Sequence, residues 1–216
     1  MMRTILLLCL MWLCPALVLA QDAPLERVDI DLADKPALQD GARTFVSYCM
    51  GCHGTKFQRY ERVADDLGIP HEQMLKELIF TGAKLGDPMA SSLRPSDGKL
   101  WFGAAPPDLT LIARVRGNDW LYGYLRGFYP DASRPWGVNN RVLPDVGMPN
   151  VLAPLQARLT PAQFDAKVKN LVGFLAYSAN PVKLQSQRIG IYVLAYLAVF
   201  LAFAFMLKRE YWKDVH

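Results

Sequence analysis

Cysteine and histidine are both scarce in this sequence. Four cysteines and three histidines are present in 216 residues, and only Cys49 and Cys52 lie beside a histidine, His53. A structural zinc site needs four ligands, which usually come as two such pairs. Because Cys9 and Cys14 fall in an N-terminal segment with the features of an export signal, we expect the mature chain to hold neither a zinc site nor a disulfide framework.

An excess of charge of one sign is missing as well. The formal net charge is +4, and the basic residues that flank the C-terminal apolar run account for most of it. Between residues 21 and 187, acidic and basic side chains nearly cancel. A nucleic-acid-binding domain would show a strong basic patch, so we expect no nucleic-acid partner.

Strand-like alternation is weak, and neither an internal repeat nor a low-complexity tract occurs. Apolar residues recur instead at helical spacing. This spacing predicts helices over Lys35–Tyr48, over residues 71–80, from Asn118 onward and over Thr160–Ser178. The segments Pro88–Asp108 and Tyr129–Pro154 are rich in Pro and Gly and are predicted to be long loops. The sequence therefore predicts an all-α domain with long connections.

Two of these helices carry further signals. Thr160 and Gln163 have the spacing of a capping box, and Pro161 suits a first helical turn. In the first helix, Gly41 would let another helix approach closely, since it has no side chain. We expect the first and last helices of the domain to cross.

Both ends of the chain are apolar. Residues 1–20 combine Arg3, an apolar core and a small-residue cleavage site ending at Ala20, which is typical of a signal peptide. An uncleaved membrane anchor is the alternative. The run Ile189–Leu207 has no charged residue and is long enough to cross a bilayer.

The distribution of basic residues predicts the orientation of this span. Arg188 precedes it, whereas Lys208, Arg209 and Lys213 follow it, and the positive-inside rule places the more basic side in the cytoplasm. We therefore predict four segments in a bacterial inner-membrane protein: a signal peptide at 1–20, a periplasmic domain at 21–186, a transmembrane anchor in contact with lipid at 187–208 and a cytoplasmic tail at 209–216.

The run Cys49-Met50-Gly51-Cys52-His53 is a C-x-x-C-H motif, which indicates covalent attachment of a c-type haem. Two thiols at this spacing can each form a thioether with a haem vinyl group. The histidine that follows can then ligate the iron. Half of a zinc site and a thiol–disulfide motif are the alternatives, but no second cysteine pair and no βαβ pattern accompanies the motif.

The other axial position of the iron is predicted to take Met148. A thioether opposite histidine gives a closed electron-transfer centre, whereas an open position would bind gases or peroxide. Met148 lies between Gly147 and Pro149, in a predicted loop where a packing role on a helix does not explain it. Met89, also in a predicted loop, is the second candidate. The remaining ones are less well placed: Met50, inside the motif; Met74, on an apolar helix face; and His71, in a first helical turn.

The two haem propionates need cationic or hydrogen-bonding partners. Arg114, six residues after Asp108, is the first candidate, and Arg116 and Arg126 are alternatives.

Taken together, these features resemble the cytochrome c1 family. The resemblance rests on Cys49–His53, on Ala105–Thr110 with Arg114 after it, on Gly147–Pro149, and on the C-terminal anchor ending at Tyr211–His216. It implies a cytochrome c-like haem domain with one haem c, held by Cys49 and Cys52 and ligated by His53 and Met148. It also implies that Arg114 meets a propionate and that Pro107 packs near the haem.

One departure from the family pattern stands out. Many members have an Asn-Gly pair shortly before the Ala-x-Pro-Pro-like segment, whereas this chain has Phe102-Gly103. A propionate hydrogen bond from that asparagine is not expected here.

The resemblance implies an electron-transfer subunit that is not an enzyme on its own. It would accept electrons from a Rieske iron–sulfur protein, within a quinol–cytochrome c oxidoreductase that contains cytochrome b, and pass them to a cytochrome c. The alternatives are a membrane-anchored cytochrome c that serves a terminal oxidase and a haem sensor or peroxidase. A haem sensor or a peroxidase requires an exchangeable ligand position on the iron.

Overall fold

A computed structural model of the chain describes residues 25–214, so the predicted signal peptide at 1–20 lies outside the described residues. Within that range the chain is mostly helical. Its helices, in chain order, are α1 Lys35–Tyr48, α2 Tyr60–Leu67, α3 His71–Glu77, α4 Pro95–Phe102, α5 Ile112–Arg116, α6 Asn118–Arg126, α7 Ala153–Gln156, α8 Pro161–Ala179 and α9 Lys183–Tyr211. The prediction of an all-α domain with a C-terminal membrane helix is confirmed.

Helix α8 lies at the centre of the domain and contacts α1, α5, α6 and α7. Its apolar stripe is buried, and Phe174 packs on Phe45 of α1 with their ring centroids 5.4 Å apart. At the crossing, a Cβ atom added to Gly41 would lie 2.0 Å from the carbonyl oxygen of Asn170. Only glycine allows the two backbones to come so close. The predicted crossing, and the predicted bounds of α1, are confirmed.

Polar groups fix the ends and the register of these two helices. The capping box at the start of α8 forms as predicted. The backbone N–H of Gln163 donates to the Thr160 hydroxyl, and the backbone N–H of Thr160 donates to the side-chain oxygen of Gln163. Beside the crossing, the Asp40 carboxylate on α1 accepts from Lys167 and from Asn170 Nδ2, the latter at 2.8 Å. These bonds join α1 to α8 where the apolar contact ends.

Two short antiparallel ladders are present, and one strand of each lies within a segment that was predicted to be a loop. Strand β1 (Thr55–Arg59) pairs with β2 (Pro88–Met89), and β3 (Phe128–Pro130) pairs with β4 (Val138–Asn140). Helix α4 also falls within the predicted loop Pro88–Asp108. Strands β2, β3 and β4 have only two or three residues, too few to show alternation. Strand β1 has five residues, but buried and exposed positions do not alternate along it.

Helix α9 extends from Lys183 to Tyr211, so it begins before and ends after the predicted anchor. Its most apolar stretch has a mean hydropathy of 2.4, and none of that stretch is buried against the domain. It is the one helix within residues 25–214 that is long and apolar enough to span a bilayer. Its fully exposed apolar surface is what lipid would cover.

Candidate haem site

The C-x-x-C-H motif forms a tight turn at the C-terminal end of α1. The backbone N–H of Cys49 donates to Phe45 at 2.8 Å, and that of His53 donates to the Cys49 carbonyl, also at 2.8 Å. Cys49 is buried, while Cys52 and His53 are half-buried. The two thiols are not joined to each other. The turn therefore leaves both cysteines and the histidine on one short, fixed stretch of backbone.

The imidazole of His53 is oriented by a backbone carbonyl. Its Nδ1 lies 2.8 Å from the Pro107 oxygen, so Nδ1–H is the donor of this bond and Nε2 keeps its lone pair. Burial lowers the pKa of His53 more than the Pro107 carbonyl and the Asp108 charge raise it. A neutral imidazole whose second nitrogen is held by a hydrogen bond is the form that binds a metal.

Pro107 is held in place by the residues that follow it. The Leu109 N–H donates to the Gly54 carbonyl at 2.7 Å, and the Lys56 N–H donates to an Asp108 carboxylate oxygen at 2.8 Å. The other oxygen of Asp108 accepts from the backbone and hydroxyl of Thr110. Sequence reasoning gave Asp108 no role, although the spacing Asp-x-Thr is typical of an Asx turn.

Met148 is half-buried and accepts a hydrogen bond. The Tyr124 hydroxyl on α6 donates to the Met148 sulfur at 3.4 Å. Tyr124 stacks on Trp120 with the ring centroids 4.9 Å apart and the planes 8° from parallel. Burial raises the pKa of Tyr124 to about 12, so its hydroxyl stays protonated near neutral pH. The sequence did not predict its contact with Met148, because Tyr124 has the helical spacing of an ordinary core residue of α6.

The other candidate axial ligands have packing or surface roles in the fold. Met89 lies in strand β2 opposite Thr55 and is 1 % exposed, so its placement in a loop was wrong. Met74 and Met50 are also buried, and the Tyr60 hydroxyl contacts Met50. His71 is the first residue of α3, exposed and bonded to Asp65.

The three arginines differ in what they contact. Arg126 is paired with Glu26 and with Asp165, the latter at 2.7 Å, so it is not free to meet a propionate. Arg114 is exposed on α5. The guanidinium of Arg116 lies 5.0 Å from the Trp120 ring centre.

The residues around the motif fit a covalently attached haem. Burial raises the pKa of the Cys49 thiol to about 12, so this position suits a neutral sulfur such as a thioether. No group of three or more His, Cys, Asp or Glu within residues 25–214 is arranged to hold a bare metal ion. Partly buried apolar side chains that follow the motif in the chain pack against the core: Leu109, Ile112, Ala113, Trp120, Phe128 and Val151.

Comparison with known proteins places the chain among cytochromes. Residues 29–215 match the Cytochrome C1 family. A cytochrome c1 of Allochromatium vinosum is 41% identical over the whole of both chains. A Nitrosomonas europaea protein named ammonia monooxygenase gamma subunit is 40% identical over 91% of each chain, and a cytochrome c1 of Rhodospirillum rubrum is 27% identical over 84% of this chain and 83% of its own. The site geometry and these similarities agree: the chain belongs to the Cytochrome C1 family.

Proposed function

We propose that this chain is the haem-bearing electron-transfer subunit of a membrane-bound quinol–cytochrome c oxidoreductase. Proteins of its family bind one covalent haem c. The subunit would take electrons from a Rieske iron–sulfur protein and pass them to a cytochrome c, with a cytochrome b as its membrane partner. It is an electron-transfer subunit, and we propose that it is not an enzyme on its own.

The haem would be held by four side chains. Cys49 and Cys52 would supply the two thioether sulfurs, and His53 Nε2 and the Met148 sulfur would bind the iron. The hydrogen bond from His53 Nδ1 to the Pro107 carbonyl is the observation that carries this assignment. It fixes the ring and the tautomer that leaves Nε2 free to bind iron.

Bound haem supplies one-electron redox chemistry, and the protein determines its potential and its access to solvent. The Pro107 carbonyl orients the His53 imidazole, and burial keeps the ring neutral by lowering its pKa. Met148 would offer a soft, neutral sulfur, which favours reduced iron and would leave no open position for gases or peroxide. These two contributions support electron transfer rather than a sensor or peroxidase function.

For a propionate we propose an arginine of α5 as the partner. Arg114 is carried over from the family resemblance, and its side chain is exposed. Arg116 is the stronger candidate, because it lies against Trp120, which stacks on the tyrosine that contacts Met148.

We propose that the haem domain lies on the periplasmic face of a bacterial inner membrane, with the C-terminal tail in the cytoplasm. The support is the distribution of basic residues: Arg188 on the domain side of the apolar stretch of α9, and Lys208, Arg209 and Lys213 beyond it. The signal peptide at 1–20 and the segments 21–186, 187–208 and 209–216 form part of this proposal.

Purification of the tagged full chain in mild detergent tests the function. We expect a b-type haem protein and a Rieske subunit to co-purify, and a soluble ferric cytochrome c added to the complex to become reduced when quinol is supplied. Co-purification of a haem–copper oxidase without a Rieske subunit would contradict the proposal. Rapid binding of CO by the reduced c-type haem would contradict the closed site.

A further inference from the structure

The loop that delivers Met148 is fastened at its start by Asn140. This side chain is completely buried, and all of its polar atoms are bonded. Its Oδ1 accepts from the N–H groups of Val142 and Leu143, at 2.9 and 3.2 Å. Its Nδ2 donates to the Tyr124 carbonyl at 2.7 Å. The start of the loop is thereby attached to the backbone of α6 at Tyr124.

The end of the loop is attached to the same residue. The Tyr124 hydroxyl donates to the Met148 sulfur at 3.4 Å. Tyr124 cannot easily move, since it stacks on Trp120 and meets the ring of Phe128 edge-on at 5.4 Å. One residue therefore contacts both ends of the loop, through its carbonyl at Asn140 and through its hydroxyl at Met148.

The middle of the loop is tied back to the β3–β4 hairpin. Asn139 Oδ1 accepts from the Asp145 N–H at 2.9 Å, and the Arg134 guanidinium donates to the Asp145 carboxylate at 3.0 Å. Asp145 has a φ of 60°, the left-handed region, which aspartate tolerates better than most residues. The loop thus has few conformations open to it other than the one observed.

We propose that Tyr124 is a positioning residue for Met148, a role that rests on the proposed ligation of iron by Met148. Its carbonyl and hydroxyl hold the two ends of the loop 140–148 on α6, so that the thioether stays at the iron position. A thioether sulfur has two lone pairs. With one engaged by the tyrosine hydroxyl, the other is left for the metal.

The same hydrogen bond should raise the midpoint potential. A donor at the sulfur withdraws electron density, which weakens the bond to ferric iron more than the bond to ferrous iron. Hydrogen bonds to a ligand sulfur are among the means by which proteins tune a potential. A threefold change in the oxidation equilibrium corresponds to about 30 mV for a one-electron couple.

Tyr124→Phe in the full haem-loaded chain tests the proposal, because it removes the hydroxyl and keeps the stacked ring. We expect the midpoint potential to fall by the equivalent of a threefold change in the oxidation equilibrium. We also expect a shifted ferric sulfur-to-iron charge-transfer absorption and faster CO binding by the reduced protein. Tyr122→Phe, on the same helix but in contact with Arg126 rather than with Met148, is the matched control and should match the unmodified protein.

A second variant, Asn140→Ser, releases the other end of the loop. It should bind CO faster than the unmodified protein while its potential changes less than in Tyr124→Phe. If both variants keep the wild-type potential, absorption and CO-binding rate, the role of Tyr124 is overturned. The ligand assignment is tested separately: if Met148→Leu keeps the charge-transfer absorption, Met148 is not the ligand and the proposed function fails at that point.

Discussion

The α1–α8 crossing and the Met148 loop are held in place by different forces. At the crossing, buried apolar side chains fill the space between two backbones, and Gly41 allows their close approach to Asn170. In the loop 140–148, single hydrogen bonds between side chains and backbone groups determine the path. The first arrangement resists change through packing density; the second depends on a few directional bonds.

This difference matters for the haem. The crossing fixes the helix that ends in the C-x-x-C-H motif, so the attachment end of the site is part of the rigid core. Met148, the proposed iron ligand, lies in the loop 140–148, where the loss of one hydrogen bond costs little stability but changes the geometry. We therefore expect changes at the crossing to affect folding and changes at the loop to affect redox properties.

The largest effect is expected from Gly41→Val. Any Cβ there would lie 2.0 Å from the Asn170 carbonyl, so the helices must separate, at a cost of about 3 kcal/mol or more. The yield of haem-containing protein and the denaturation midpoint measure this loss. Gly190→Ala is the control, since a Cβ at this helical glycine of α9 meets nothing within 4 Å; an equal loss in both variants would contradict the role of the crossing.

Met148→Leu should leave folding intact and change the haem. Without the thioether, ferrous iron loses its preferred ligand, and we expect the midpoint potential to fall by about 100 mV or more, roughly fiftyfold in the equilibrium. Redox titration measures the fall. Met89→Leu is the matched control because Met89 is buried in β2. If the midpoint potential falls in Met89→Leu and not in Met148→Leu, the proposed ligand is wrong and Met89 takes its place.

Thr160→Ala tests the helical region, with a smaller expected loss of stability than Gly41→Val. Removing the capping hydroxyl that accepts from Gln163 should cost about 1 kcal/mol of unfolding free energy and leave the haem potential unchanged. Thr160→Ser retains the oxygen and should keep most of the stability. A shifted potential in Thr160→Ala would show that the two regions are coupled.

The smallest effect is expected from protonation of Asp131 as the pH falls. The Ser133 and Asn139 hydrogen bonds hold the pKa of Asp131 below its usual value. A carboxylate with a lowered folded-state pKa stabilises the fold above its ordinary pKa of 3.8, and this contribution is lost as the pH falls from there through the lower folded-state value. The charge-transfer absorption should weaken over that range. In Asp131→Asn this step should disappear; its persistence would show another titrating group.

Sequence patterns predicted helices α1, α3, α6 and α8 but missed α2 and placed α4 in a loop. The bounds of α1, the capping box of α8 and the crossing at Gly41 follow from periodicity and local chemistry, which act over one to four residues. The short ladders β1–β2 and β3–β4 were missed, because strands of two to five residues depend on pairing with partners that their own sequence does not indicate.

The site was predicted only in part, for the same physical reason. A C-x-x-C-H run and a Gly-Met-Pro loop are visible as local motifs. The partners that orient them are distant: Pro107 lies 54 residues from His53, and Tyr124 lies 24 residues from Met148. No periodicity connects such pairs, and Tyr124 has the spacing of an ordinary core residue.

The most direct test of a closed electron-transfer site with His53 and Met148 as ligands is a CO-binding measurement on the reduced, haem-loaded full chain, read with the ferric charge-transfer absorption. We predict that the absorption is present and that CO does not bind on the timescale of seconds, whereas Met148→Leu loses the absorption and binds CO. Rapid CO binding by the unmodified protein without the charge-transfer absorption would contradict the account.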